Sequence, residues 1–262
     1  MPRDATLSAQ EIEIACQLLT DFLPTIVDPK TVDKIIGPAI LVKPFFDIWV
    51  SQMAARGLHL KIVDHFREEF QDSRTTYATR ETLPPPSPAF ASYNVFKASE
   101  DDIIALAHLY VEFTKGAPMP ATFEQGLNAM GDGVKIGRVW CCKVDGKIAG
   151  YILVGRTTPR TIAIRNVYTS PDYRRRGIAE AMVRAVTRYY LGAEPLGFEG
   201  APDKGPVGGI KEEVNLNVAD PGARRLYKRC GFLLDDDARD PKTGKIGWYA
   251  SLWRGVQPVG EE

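Results

Sequence analysis

Three consecutive arginines, Arg174, Arg175 and Arg176, run into Gly177 and Ala179 in the stretch YRRRGIAEAMV. A helix that starts at such a turn presents backbone N–H groups without intrahelical partners, together with the positive end of its dipole. Gly177 allows another group to approach the backbone closely. Ala179 keeps the next turn thin, and the arginines add charge-assisted donors. The chemistry this suits is the holding of a pyrophosphate. Two further readings fit the same residues: arginines decorating a solvated turn, and a basic patch for nuclear import or nucleic acid. The basic-patch reading is weakened by neighbours that read as strand and amphipathic helix without further basic clusters.

The elements around the turn must place it at the end of a strand. TIAIRNVYTS precedes it with strand character, and a helix follows to about Tyr190. GRVWCCKV and KIAGYILVGRT read as two strands joined by VDGK, whose Asp-Gly is a hairpin signal. Upstream, SYNVFKA reads as a strand, and Ser99 with Asp102 forms a capping box that opens a helix through IIALAHLYVEFTK. PATFEQGLNAM adds a short helix. Downstream, the glycine- and proline-rich stretch from Gly192 to Ile210 reads as a lid or a disordered insertion. EVNLNV is a strand, and DPGARRLYKRC is a helix with Asp220 at the N-cap and Pro221 at its first position. GFLLDD and GWYASLWR close the chain as strands. The succession β-α-α-β-β-β-α-β-α-β-β predicts an α/β domain, an α+β mixed sheet, of about 165 residues.

LPPPSPAF holds four prolines in five residues, from Pro84 to Pro88, which favours a stiff extended linker. The expected organisation is therefore a mostly helical segment over 1–83, a linker over 84–92 and a main domain over 93–255. In the first segment Ser8 with Glu11 caps a helix through IEIACQLLTDFL. A second apolar helix covers ILVKPFFDIWVSQMAA with Pro44 near its first turn, and Ser73 to Leu83 reads as a strand. With few strands, this segment is not expected to fold alone.

Bulk composition excludes several function classes. Lys+Arg and Asp+Glu are both 33, so no global charge draws the chain to nucleic acid or an anionic membrane. No run approaches the roughly eighteen apolar residues of a membrane span. The polar N-terminus MPRDATLSAQE lacks a signal core, so the expected location is cytoplasmic, with the nucleus open. Cys16, Cys141, Cys142 and Cys230 fit no zinc spacing and are expected as reduced thiols. His59, His65 and His108 are scattered, and no metal site is expected.

The stretch VYTSPDYRRRGIAEAMV resembles the acetyl-CoA-binding motif of the GNAT superfamily of N-acetyltransferases, Arg/Gln-x-x-Gly-x-Gly/Ala, here Arg174, Gly177 and Ala179. VNLNVADPGARRLYKRCGF is similar to the second motif of that superfamily through Ala223, Leu226, Tyr227, Gly231 and Phe232. The resemblance covers about Tyr93 to Trp253. IIGPAILVKPFFDIW also resembles the degenerate first lobe of two-lobed fungal GNAT proteins, with Gly37-Pro38 leading to Trp49. That segment is expected to pack structurally, to lend residues to the acceptor cleft, or to form a homodimer contact.

The resemblance implies a GNAT-like acyl-CoA N-acyltransferase fold, acetyl-CoA as cosubstrate, and direct acetyl transfer to the primary amine of a small molecule or peptide. The fourth and fifth strands of the superfamily splay, so backbone at Val167 and Thr169 is expected to pair with the pantetheine arm. Arg174 and the backbone amides of Arg175, Arg176, Gly177, Ile178, Ala179 and Glu180 are expected to hold the pyrophosphate. Tyr227 matches the tyrosine that protonates the departing thiolate. Two positions depart from the pattern. Asp220 stands where many relatives place a cofactor-contacting asparagine. The fourth strand, with Arg165 and Asn166, lacks the glutamate base of some relatives, which leaves water, Glu112, Glu124 or His108. The alternative is a CoA-binding module that has lost catalysis.

Overall fold

The structure is a computed structural model and describes residues 7–32, 35–64, 73–116, 120–194 and 205–260. In chain order the elements are α1 (Ala9–Phe22), β1 (Ile35–Pro38), α2 (Ala39–Ala55), β2 (Leu60–Asp64), β3 (Arg74–Ala78), β4 (Val95–Lys97), α3 (Ile103–Thr114) and α4 (Phe123–Lys135). They continue with β5 (Val139–Val144), β6 (Lys147–Gly155), β7 (Thr161–Thr169), α5 (Ile178–Leu191), β8 (Glu213–Val218), α6 (Pro221–Arg229) and β9 (Trp248–Pro258). Contacts gather them into two compact units, Met1–Thr75 with Trp248–Glu262, and Thr76–Gly247; β3 straddles the boundary.

In the first unit Ser8 and Glu11 each accept the other's backbone N–H, at 3.2 and 2.8 Å, so α1 begins where its capping box requires. α2 buries Phe45, Phe46, Trp49 and Met53 in a core shared with Ile12, Cys16, Leu60 and Val256. Pro44 sits inside α2 just past its first turn, and its missing N–H leaves the Ile40 carbonyl without its usual helical partner. β9 runs antiparallel to both β1 and β2, with Ile36 opposite Trp253 and Ile62 opposite Val256. The expected strand GWYASLWR is thus present, as part of this unit.

The second unit holds the mixed α/β sheet that the sequence predicts. Its strands lie in the order β8-β7-β6-β5-β4, antiparallel except for the parallel pair β7–β8. The β5–β6 hairpin turns at Asp145 and Gly146, with φ of 49° and 74°, the left-handed pair a two-residue hairpin needs. One face of the sheet, through Ile152, Val154, Ile164 and Val167, packs on Ile178, Met182, Val183 and Val186 of α5. The other face, through Cys141, Tyr151, Leu153 and Tyr168, packs on Leu106 of α3 and Met130 of α4.

Two expectations change in detail. The strand expected over 73–83 is confined to β3, because the chain turns at Arg80–Thr82 under a cap from Thr79. GFLLDD forms no strand: Phe232, Leu233 and Leu234 lie without regular structure between a turn at Gly231 and a bend at Asp235. Leu233 donates to the Tyr77 carbonyl at 3.1 Å and accepts from the Thr76 hydroxyl at 2.7 Å, so a side chain takes the place of a second backbone rung.

Candidate functional site

The site begins with an irregular strand. β7 pairs with β6 from Ala163 to Thr169, but Arg165 is extra: Val154 faces Ile164, and Leu153 already faces Asn166. Such a bulge bends its strand and adds twist. The last parallel rung between β7 and β8 is Ile164 opposite Leu216, immediately before the bulge. Beyond it β7 continues to Thr169 with no strand partner on that edge among the described residues, and the β7–β8 ladder ends. The splay expected from the resemblance therefore has a local cause in Arg165.

The free edge leads into the arginine turn. After a 3-10 turn at Pro171–Tyr173, Arg174 is extended, Arg175 takes φ 61° and Gly177 takes φ 85°. Left-handed residues in quick succession turn backbone N–H groups into a common concavity. Gly177 is the N-cap residue of α5, and among the described residues no side chain caps this end, where the first amides of the helix have no intrahelical acceptor. A Cβ at Gly177 would stand 3.2 Å from the Phe90 ring. The Tyr93 hydroxyl donates to the Arg176 carbonyl and pins the turn from the other side.

Beside this turn is a cavity of about 290 Å³. Seven of the nine residues expected at the donor site line it: Thr169, Arg174, Arg175, Gly177, Ile178, Ala179 and Glu180. Val167 and Arg176 do not. Val167 is half-buried against the α5 face, and the Arg176 guanidinium lies 5.5 Å from the Tyr173 ring centre. Arg174 donates to the Thr169 carbonyl at 3.2 Å and lies over the Tyr168 ring. The Thr169 hydroxyl is buried and has no hydrogen-bond partner among the described residues.

Glu180 places a buried carboxylate next to a cavity suited to anions, and two arginines balance it. Arg184 reaches one oxygen at 2.9 Å, and Arg229 reaches the other at 2.8 Å. Arg229 and Leu226 of α6 also line the cavity; Leu226 belongs to the second motif but was not expected at the site, and Arg229 was not singled out at all. They stand three residues apart and so share one helix face, a pairing that the sequence does contain.

Tyr227 follows Leu226 but does not line the cavity itself. Its ring packs edge-on against Phe232 at 5.9 Å and against the α5 core. Burial pushes its phenol well above the ordinary range, with Cys230 and Asp220 adding to the rise, so the group stays protonated. Asp220 accepts from the Ala223 N–H at 2.6 Å as a helix cap.

The three residues considered as bases lie on the outer sides of α3 and α4. Glu112 pairs with Lys115 at 2.6 Å, Glu124 is exposed, and exposed His108 stacks on Phe123 at 4.5 Å. Burial raises the Cys141 thiol to about 12 and the Cys142 thiol to about 11, which keeps both protonated and unreactive. Part of the Gly192–Ile210 loop, 195–204, and His65 lie outside the described residues. Among the described residues no three or more His, Cys, Asp or Glu gather as metal ligands would, and no helix is long and apolar enough to cross a membrane.

A mixed sheet whose β7–β8 ladder ends early, with an uncapped helix start beyond its free edge, makes this an α/β domain with a cavity lined by cations and helix-end amides. Residues 135–233 match the family model of the acetyltransferase (GNAT) domain. No curated protein matches the chain. Solved structures with some likeness include a GCN5-related N-acetyltransferase from Sphaerobacter thermophilus, at 17% identity over 95% of this chain and 67% of that one, with a TM-score of 0.49. A GNAT-family acetyltransferase from Bacillus cereus shows 18% identity over 63% and 96%, with a TM-score of 0.40. The yncA protein of Salmonella typhimurium, solved with its cofactor acetyl-CoA, shows 17% over 65% and 96%, with a TM-score of 0.42. At these scores the likenesses add no weight to the family match.

Proposed function

We propose that the chain transfers an acetyl group from acetyl-CoA directly to a primary amine. The observation that supports this most is the continuity between the unpaired edge of β7 and the uncapped start of α5. A pantetheine arm needs exposed backbone groups to pair with, and a pyrophosphate needs convergent N–H groups and cations. Both follow one another between Val167 and Glu180. The fit extends to the orphaned Thr169 hydroxyl and to the arginines that line the cavity.

In this reading the amine nitrogen attacks the thioester carbonyl carbon. The C–N bond forms, the C–S bond breaks, the amine gives up a proton, and the leaving sulfur takes one. Tyr227 supplies the latter as a general acid, a role that requires a phenol held neutral at working pH. The amine proton leaves to water, because the three side chains considered as bases point outward from α3 and α4.

A second reading, a CoA-binding module without turnover, is favoured by one observation: Arg165 and Asn166 occupy β7 where a carboxylate base would stand. The same experiment tests both. Saturation at one hundred times Kd adds about 2.7 kcal/mol to the folded state. For a unit of this size that raises the melting temperature by roughly 5–10 °C. A shift together with thiol release from acetyl-CoA in the presence of primary amines is the expected result. A shift without thiol release favours the silent module, and no shift at saturation overturns both readings.

A further inference from the structure

The bulge at Arg165 has a second effect, on the face of the sheet away from α5. Paired residues share a face, so Asn166, opposite Leu153, points toward α3 and α4, as does Tyr168, opposite Tyr151. Gly155 follows Leu153 by two residues and faces the same way. A Cβ there would lie 2.7 Å from Cδ of Arg165 and 3.7 Å from its Cγ. The stem of Arg165 therefore lies flat across Gly155, on that same face. The extra residue of the bulge has put Arg165 and Asn166 on the same face of the sheet, with the Arg165 side chain directed over β6.

Arg165 is exposed, and among the described residues its guanidinium makes neither a salt bridge nor a hydrogen bond. The polar groups placed on this face of β6 and β7 include Asn166, Tyr151 and Tyr168. The Tyr151 hydroxyl is buried without a hydrogen-bond partner among the described residues, and its ring lies 6.3 Å from that of Tyr168. Burial holds this phenol protonated, while the Asn166 side chain acts on it in the opposite direction. Phe113 meets Tyr168 edge-on at 6.2 Å and completes an aromatic rim. A donor arm that enters from the cavity beside α5 and passes between β7 and β8 emerges on this face, where the acceptor must meet it. The group waiting there is a cation with unused donors in a fork that matches a carboxylate.

We infer that the acceptor is an amine carrying its own carboxylate, an amino acid or an amino-acid-like molecule, with Arg165 as the residue that selects it. This rests on the acetyl-transfer reading above. The test uses the full chain and matched acceptors that differ only in the carboxylate: phenylalanine with phenethylamine, leucine with isoamylamine, and glutamate with 4-aminobutyrate, whose amine loses its α-carboxylate. Acetyl-CoA binding is measured first, by thermal shift; its absence refutes the acetyl-transfer reading itself.

Where acetyl-CoA binds, kcat/KM is expected to favour the α-carboxylate member of at least one pair by about tenfold. Arg165→Gln is expected to erase that preference, mainly through KM, with the acetyl-CoA shift unchanged. Arg165→Lys should restore part of it. Turnover that favours the decarboxylated amines, or a preference that survives in Arg165→Gln, overturns the inference. So does a protein that binds acetyl-CoA yet neither acetylates nor binds any of the three carboxylate acceptors.

Discussion

Replacing Gly177 by alanine tests whether the cradle is made of backbone. Gly177 holds φ 85°, and a left-handed conformation costs an L-residue about 1–2 kcal/mol. Alanine also lowers the entropy of the unfolded chain, which returns about 0.4–1 kcal/mol. The new Cβ would meet the Phe90 ring at 3.2 Å, a distance that a half-buried side chain can absorb by a small shift. The net expectation is a loss of about 1 kcal/mol, or roughly 2–4 °C in the melting of a unit this size. Arg175 supplies the complementary case. It is a non-glycine residue at φ 61°, so Arg175→Gly relieves a similar strain and gives up the entropy advantage, leaving stability within about 1 kcal/mol of the parent. The same variant removes a guanidinium and keeps an N–H. If the amides hold the pyrophosphate, acetyl-CoA affinity, measured by calorimetry, falls by no more than about threefold, well under the tenfold that 1.4 kcal/mol represents. A larger loss in Arg175→Gly, or a Gly177→Ala protein as stable as the parent, would refute a backbone cradle held in left-handed conformations.

Three further outcomes are expected. Tyr227→Phe should lower kcat by about 10²-fold or more, in the range of general acid catalysis. Its acetyl-CoA thermal shift should not change, and stability should stay within about 0.5 kcal/mol, because the hydroxyl has no partner among the described residues. In α4, Gly131→Ala adds a Cβ with nothing within 4 Å and should stabilise by about 0.5–1 kcal/mol in urea titrations. Gly133→Ala places its Cβ 2.8 Å from Val139 and 3.2 Å from Leu153, where overpacking outweighs the same helical gain and the protein should lose about 1 kcal/mol. The cysteines set an alkaline limit. Cys230 is raised to about 12 by burial and by Glu180, while an unfolded thiol ionises near 9. The folded protein then holds the extra proton, so stability is retained below about pH 9 and declines between pH 9 and 12. At pH 8 a thiol reagent should react with none of the four buried cysteines until the protein unfolds.

How far the site was legible depends on whether its determinants are local. The start of α5 was legible because a cap is a matter of neighbouring residues: an N-terminus after a glycine, a clear 3.6-residue period, and arginines before both. The Val144–Lys147 hairpin was legible for the same reason, since Asp-Gly specifies its own dihedral angles. The strand expected at GFLLDD had the right residue types, but its neighbour Thr76 answers the Leu233 carbonyl with a hydroxyl, and no local pattern reports which group a partner will offer. Arg229 was missed because its role lies in Glu180, forty-nine residues earlier in the chain. β9 reads as a strand from its own residues, yet nothing in those residues says that it pairs with β1 and β2.

The bulge was the least legible of these features and the most consequential. Nothing in TIAIRNVYTS distinguishes a regular strand from one with an extra residue at Arg165; in a regular strand Arg165 and Asn166 would point to opposite faces. Gly155 on β6, opposite Ala163, leaves the room that the Arg165 stem takes in the irregular one. A side chain at Gly155 would occupy the space that the Arg165 stem now fills, so a glycine on one strand and a long side chain on the next are complementary only if the second strand slips by a residue. That slip ends the β7–β8 ladder at Ile164, leaves Val167 on the face toward α5, and sets Arg165 with Asn166 on the face toward α3 and α4. Gly155→Ala should therefore act at a distance. By displacing Arg165 it should change acceptor selectivity in the same sense as Arg165→Gln while leaving the arginine turn and acetyl-CoA binding intact. Unaltered selectivity in Gly155→Ala would mean that Arg165 does not depend on the space Gly155 leaves.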